Sequence, residues 1–161
     1  MGEVRNSSNY IRKGDKMGKH LKIRAIAKPA LTITRIAIRA RKLVYIARAN
    51  NPHGYPWGRS RIVYIGTTKA GAHRVASSAA SKADLFLSNW GVRQLDFHVV
   101  QSTKKQNVET WKELERDLLI IFKEVYGRVP AANTQGKNLK RSQLSGYFRD
   151  HNLRSVIAQY S

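Results

Sequence analysis

Short apolar runs separated by polar, turn-rich segments dominate the middle of the chain. Residues 43–47 and 61–66 are mostly apolar and of strand length, and the segment between them has two prolines, two glycines and two asparagines. Apolar runs with such a segment between them are typical of two antiparallel strands. The pattern therefore predicts strands at 43–47 and 61–66 that are joined by a loop over 48–60.

Two helices and one further strand are predicted after this hairpin. The alanine-rich segment 72–83 favours a helix, and alternation of apolar and polar residues over 95–99 predicts a strand. Thr110 and Glu113 have the spacing of a capping box, which predicts a helix that begins there and ends at Gly127. The predicted fold class is α+β, a small antiparallel sheet of about three strands flanked by helices.

The charge balance of the chain is strongly basic. Its 161 residues include 30 Lys and Arg against 10 Asp and Glu, a formal net charge of +20. Such a chain repels itself, which indicates a polyanionic partner: DNA, RNA or an anionic membrane. No stretch approaches the roughly 18 apolar residues of a membrane span, and there is no apolar signal core. We therefore expect no membrane contact and a cytoplasmic or nucleoid-associated protein; the absence of cysteine fits a reducing compartment.

The length fits one domain with basic extensions at both ends. Residues 1–42 hold twelve Lys and Arg and two acids, and we expect this N-terminal arm to contact phosphates; a solubilising extension is the alternative. The core is predicted over 43–137. A basic helix or helix pair is predicted for the C-terminal extension, 138–161.

The predicted hairpin loop contains aromatic and basic side chains. Tyr55, Trp57 and Arg59 lie within it. Exposed aromatic and arginine side chains can stack on bases or enter a groove. The alternative is that Tyr55 and Trp57 pack back onto the domain.

Polar residues of the predicted core resemble, in type and order, those of the GIY-YIG nuclease family over about residues 43–137. Tyr64-Ile65-Gly66 matches the second motif of that family, and Leu43-Val44-Tyr45 stands where Gly-Ile-Tyr is usual. Arg74 follows Gly66 by eight residues, where the family often has an arginine. Glu115, before a leucine-rich helix face, and Asn133, in the loop after Pro130, are similar to the glutamate and asparagine of the family.

The resemblance implies a Mg²⁺-dependent DNA endonuclease. By that resemblance, Glu115 would hold one Mg²⁺, for which Mn²⁺ could substitute, and Arg74 would bind the scissile phosphate. Tyr45 or Tyr64 would be the general base, with its pKa lowered by the cations beside it, and Lys69 would either lower that pKa or bind phosphate. Asn133 would orient the site. The residues expected to contact DNA are Arg59, Arg61, Lys69, His73 and Lys137.

The long segment between the two tyrosines resembles the inserted segments of the restriction enzymes of the family. A sequence-specific restriction endonuclease acting on double-stranded DNA is therefore the first expectation. A homing or mobile-element nuclease is the second expectation, and a repair nuclease module is the third. A non-catalytic nucleic-acid-binding protein is the rival class. A homodimer on DNA would place one site on each strand. Ser78 stands four residues after Arg74, where family members often have a histidine.

Overall fold

The structure, a computed structural model, describes residues 41–89 and 91–161. The predicted basic arm, 1–42, lies outside these residues except for its last two positions. The elements are β1 (Leu43–Tyr55), β2 (Gly58–Thr68), α1 (Ala72–Asn89), β3 (Leu95–Val100), α2 (Thr110–Tyr126), a 3₁₀ helix (Arg141–Gln143) and α3 (Asp150–Tyr160).

The strands of the described part form one antiparallel sheet in the order β2-β1-β3. Tyr45 in the central strand, β1, pairs with Gly66 of β2 and with Val99 of β3. Residues 43–47 are buried throughout, because helices pack on both faces of this strand. The α+β fold class, with a small three-stranded antiparallel sheet and flanking helices, is therefore confirmed.

The predicted loop over 48–60 is wrong, because β1 continues through it to Tyr55. The Tyr55 ring is held in the core, and its hydroxyl donates a hydrogen bond to the Ile62 carbonyl oxygen at 2.6 Å. The strand register is irregular between Arg48 and His53, where the Asn-Asn-Pro sequence lies. Packing of Tyr55 thus outweighs the local preference for a turn.

A β-bulge in β2 sets the direction of Tyr64. Ala47 pairs with Tyr64 while Arg48 pairs with Ile62, so Val63 is an extra residue in β2. Val63 and Tyr64 both pack against the apolar cluster on the α1 side of the sheet. A bulge re-aims side chains that would alternate in a regular strand. Tyr64 therefore points to the same face as Val63 instead of the opposite one.

The two faces of the sheet are covered by different helices. On one face, Ile46 joins a core cluster with apolar residues of α2 and α3. On the other, Ala47 packs with Phe86 of α1 and Tyr45 packs with Val75 of α1. Removal of these apolar side chains from water holds the helices against the sheet. The Tyr45 side chain therefore lies between the sheet and α1.

Helix α2 has its predicted bounds, but the predicted capping box does not form. The N-cap residue is Glu109, and it makes no side-chain capping bond. The Thr110 hydroxyl instead accepts a hydrogen bond from the Ser102 hydroxyl at 3.0 Å. The C-terminal prediction is correct: Gly127 ends α2 in the left-handed conformation, with φ at 85°.

Helix α1 is longer than predicted, and the C-terminal segment contains two helical elements. Helix α1 continues to Asn89, beyond the predicted end at residue 83. The predicted basic C-terminal segment forms the 3₁₀ helix and α3, whose Leu153 and Ile157 are buried in the cluster that includes α2. No helix within the described ranges has the length and apolar character needed to cross a membrane.

Candidate active site

Tyr45 and Tyr64 lie side by side on β1 and β2, and their hydroxyl groups meet at Gly66. Their ring centroids are 5.9 Å apart. A Cβ atom on Gly66 would lie 2.8 Å from the Tyr64 hydroxyl oxygen and 2.9 Å from that of Tyr45. Real Cβ atoms do not approach other atoms so closely. Gly66 is therefore the residue that leaves room for both hydroxyl groups.

The two tyrosines differ in access to solvent. Tyr45 is only 3% exposed, and its hydroxyl donates a hydrogen bond to the Ser78 hydroxyl at 2.9 Å. Tyr64 is half-buried and lines a cleft. Ser78, which stands where a histidine was expected from the resemblance, thus fixes Tyr45. Of the pair, Tyr64 is the tyrosine that a bound molecule can reach.

Lys82 is a cation of the site that the sequence reasoning missed. Its Nζ lies 5.0 Å from the centroid of the Tyr64 ring, and Lys82 lines the same cleft. Arg74, Ser78 and Lys82 are spaced by four residues along α1, so they share one face of the helix. This spacing from Arg74 is the signal that could have identified Lys82.

Glu115 on α2 is a carboxylate without a partner. Within the part of the chain that the structure describes, it is the one Asp or Glu with neither a hydrogen bond nor an ion pair. Its neighbours Glu113 and Arg116 pair with each other. Burial raises the pKa of Glu115 to about 7. A half-buried, unpaired carboxylate of this kind is poised to bind a cation or to exchange a proton near neutral pH.

A cleft of about 760 Å³ brings several predicted residues together. Tyr64, Glu115, Asn133 and Lys137, all predicted from the sequence, line it together with Lys82. Its remaining wall is largely polar and comes mainly from the loop that follows Asn133, with further residues from α2 and the 3₁₀ helix. The other lining residues are Arg116, Leu119, Thr134, Gln135, Gly136, Asn138, Leu139 and Gln143.

Asn133 holds the backbone of Ile65, the residue after Tyr64, through two hydrogen bonds. Its Oδ1 accepts a hydrogen bond from the Ile65 N–H at 3.0 Å, and its Nδ2 donates one to the Ile65 carbonyl at 2.7 Å. Both groups lie on the edge of β2 that faces away from β1. Because its amide is occupied in this way, Asn133 is a positioning residue that holds the Tyr64-Ile65-Gly66 segment.

The expected lowering of a tyrosine pKa is wrong for Tyr64. Burial is the main cause that raises the pKa of Tyr64, and the adjacent Tyr45 hydroxyl and the Glu115 charge raise it further. Only the Arg74 guanidinium opposes them. The expectation failed because neighbouring cations were counted while burial was not. Tyr64 is therefore a neutral phenol at neutral pH.

Other predicted residues lie apart from the cleft. Lys69 and His73 are exposed in the turn after β2 and at the start of α1. Arg59 and Arg61 are near the opposite end of β2 from Gly66, where an Arg59 Nη donates to the Pro52 carbonyl oxygen at 3.2 Å. These basic residues could contact a large polyanion that extends beyond the cleft. They do not line the cleft itself.

The site contains one carboxylate that fits a hard cation. In the described ranges, no cluster of at least three His, Asp or Glu side chains is arranged to hold a metal ion. Mg²⁺ commonly uses one or two carboxylates and fills its other positions with water and substrate phosphate. Glu115, unpaired beside an open polar cleft, has the oxygen donor that such a site needs.

The arrangement combines a neutral phenol, an unpaired carboxylate and two lysines, Lys82 and Lys137, around one cleft. Cations bind phosphate oxygens, and a carboxylate can bind a hard metal ion or transfer a proton. These groups fit a phosphate ester better than a neutral ligand.

A scan of protein-family models and searches among curated proteins and solved structures found no match to this chain.

Proposed function

We propose that this chain is a Mg²⁺-dependent DNA endonuclease of the restriction type, with its active site in the cleft between Tyr64 and Glu115. One observation carries the proposal: the one described carboxylate that lacks a partner faces the same cleft as the reachable tyrosine and Lys82. The resemblance of Tyr64-Ile65-Gly66, Arg74, Glu115 and Asn133 to GIY-YIG nucleases supports it. The net charge of +20 supports a nucleic-acid substrate.

The cationic side chains would bind the phosphates. Lys82 and Lys137 line the cleft, where they can contact the scissile phosphate and its neighbour. Arg74 lies near enough to Tyr64 for its charge to affect the phenol. Its guanidinium can bind phosphate oxygens in a bidentate manner. Together these cations would offset the negative charge that develops in phosphodiester hydrolysis.

Glu115 and Tyr64 would contact the reacting groups directly. Glu115 would hold Mg²⁺ with water in the remaining positions, and the bound ion would supply charge neutralisation at the phosphate. The Tyr64 hydroxyl would orient the attacking water by a hydrogen bond, since its raised pKa leaves it protonated. Tyr45, buried and bonded to Ser78, would position Tyr64 without touching substrate.

A non-catalytic DNA-binding protein is the second candidate. The raised pKa of Tyr64 favours it, because a phenol that keeps its proton does not activate water as a base. Both candidates would bind DNA through the basic surface, and they differ only in whether the cleft hydrolyses the DNA. Cleavage therefore decides between them.

Incubation of pure protein with supercoiled plasmid and Mg²⁺ tests the proposal. We expect the wild-type protein to cut, and Glu115→Gln to bind DNA without cutting. Glu109→Gln is the matched control, because Glu109 is an exposed carboxylate at the start of the same helix and is paired with Lys112. Discrete bands would indicate restriction-type specificity. Binding without cleavage by the wild-type protein over a range of plasmid sequences would support the non-catalytic candidate.

A further inference from the structure

Trp57 at the turn of the β1–β2 hairpin is exposed to an unusual degree. It is 69% exposed, more than Leu85, Leu87 or Tyr147, the other large apolar side chains that are exposed in the described ranges. An indole ring that is exposed to water does not gain the free energy that burial in the core would give it. Such exposure on a fixed element is typical of a contact surface.

One side of the indole ring is fixed against the end of α2. A Cβ on Gly127 would lie 3.0 Å and 3.1 Å from two carbons of the Trp57 ring and 2.9 Å from the Pro56 Cβ. The Trp57 backbone N–H donates to the Tyr126 carbonyl oxygen at 3.3 Å. Gly127 has a φ of +85°, which also favours glycine. The ring is thus held on one side by backbone and remains open on the other.

Two exposed arginines are neighbours, along the chain, of Trp57 and of Gly127, which contacts the Trp57 ring. Arg59 is exposed two residues after Trp57. Arg128 follows Gly127, is exposed, and is oriented by a contact of 3.2 Å with the His53 Nε2 and by the Tyr55 ring, 5.2 Å away. From residue 16 to residue 83 the sequence contains no Asp or Glu. The hairpin turn therefore presents an open aromatic face with exposed arginines close to it along the chain.

We propose that Trp57, Arg59 and Arg128 form a stacking platform for an unstacked DNA base, separate from the cleft. The open face of Trp57 would stack on the base, and the two guanidinium groups would hold the phosphates on either side. This platform rests on the proposed DNA binding but not on cleavage. It lies roughly 25 Å along β2 from Gly66, at about 3.3 Å per residue. That distance corresponds to ~7 base pairs from the cleft.

The charges favour DNA over a protein partner. An apolar protein partner would need a wider apolar patch around Trp57, whereas the exposed residues that follow Trp57 and Gly127 along the chain include Arg59 and Arg128. An acidic protein could pair with the arginines, but it would need an aromatic side chain among its carboxylates to stack on the indole face. A nucleic-acid base provides the flat ring, and its neighbouring phosphates provide the negative charge.

Binding to labelled DNA without divalent ions tests the platform. The probes are a single strand, a fully paired duplex and a duplex with a two-nucleotide bulge. For the single strand and the bulge, we expect Trp57→Ala to weaken binding by about tenfold and Trp57→Phe to restore it to within about threefold. The paired duplex shows whether the platform also opens stacked DNA. Quenching of the total tryptophan fluorescence should accompany binding in the wild type and be lost in Trp57→Phe, which keeps the other two tryptophans of the chain.

Two control variants separate stacking from charge and from general loss of an aromatic ring. Arg128→Ala should lower the salt slope of binding by about 1, whereas Trp57→Ala should leave the slope unchanged. Tyr147→Ala removes an aromatic side chain that is 45% exposed and covered by Lys105 Nζ at 4.5 Å, and should bind as the wild type does.

Wild-type affinity of Trp57→Ala for all probes would overturn the platform and leave the cleavage proposal intact. Failure of the wild type to bind any DNA would contradict both.

Discussion

The Asn133 side chain occupies both backbone hydrogen-bonding groups of Ile65 on the outer edge of β2. The two bonds measure 3.0 Å and 2.7 Å, and both groups of Ile65 are buried. The neighbouring Ala132 N–H also donates to the Val63 carbonyl at 2.9 Å. The loop after α2 therefore covers the outer edge of β2. It also fixes the backbone of Ile65, the residue between Tyr64 and Gly66.

Asn133→Ala should destabilise the protein by about 2–3 kcal/mol, because it leaves a buried donor and a buried acceptor of Ile65 unsatisfied. Urea unfolding monitored by circular dichroism measures the change. Asn138→Ala removes the same amide group from an exposed position of the same loop and should cost less than about 0.5 kcal/mol. Equal stability of the two variants would show that the Ile65 contacts contribute little.

Gly66→Ala should reduce DNA cleavage by at least about 100-fold while DNA binding persists. The added Cβ would lie 2.5 Å from a Tyr64 ring carbon, so the Tyr64 ring must move away from its position in the cleft. Gly54→Ala on β1 is the control, since a Cβ there meets no atom within 4 Å. Single-turnover cleavage of a duplex measures the effect. Full activity of Gly66→Ala would mean that the position of Tyr64 is unimportant.

Glu115 should make protein stability fall between about pH 4.5 and pH 7. Burial raises its pKa from the model-compound value of 4.5 to about 7, so the folded state binds more protons than the unfolded state in this interval. The stability contribution is fully present below pH 4.5 and is lost as pH rises through 7. Glu115→Gln should therefore be more stable than wild type at pH 8, by roughly 2 kcal/mol once the effect is reduced for the partial exposure of the carboxyl, and equal to it at pH 4.

Thermal unfolding from pH 4 to pH 8 measures this difference between wild type and Glu115→Gln. Glu109→Gln, at an exposed and ion-paired carboxylate, controls for the loss of one negative charge. A stability difference for Glu115→Gln that does not change with pH would show that its carboxyl has no raised pKa.

Lys82→Met should slow cleavage by roughly 10- to 100-fold and lower the salt slope of DNA binding by about 0.9. The substitution removes the charge beside the Tyr64 ring and keeps most of the side-chain length. Lys112→Met is the comparison, because Lys112 is exposed and paired with Glu109. If both variants cut equally well, Lys82 does not contact the scissile phosphate.

Periodicity predicted the type and order of the elements but not the extent of the hairpin. The apolar runs around Tyr45 and Tyr64 and the stripe of α2 are local signals, and they fix strands and a helix. The continuation of β1 to Tyr55 depends on packing of that ring against α2, which no local pattern contains. Similarly, the bulge at Val63 appears only when the two strands are paired.

Only some of the predicted site residues lie together. Tyr64, Glu115, Asn133 and Lys137 line the cleft, whereas Tyr45, Lys69 and Arg74 do not. Lys82 was missed because cations on a helix usually face water. The pKa of Tyr64 was predicted in the wrong direction, since burial is set by the whole fold and cannot be read from neighbouring charges.

Single-turnover cleavage of one end-labelled duplex in Mg²⁺, measured together with the dissociation constant, tests the central claim that Glu115 and Tyr64 form the reaction site. For Glu115→Gln, we expect the cleavage rate to fall at least about 1,000-fold and the affinity to stay within about threefold of wild type. Tyr64→Phe should show the same separation with a smaller loss of rate. Cleavage by Glu115→Gln at the wild-type rate would contradict the account.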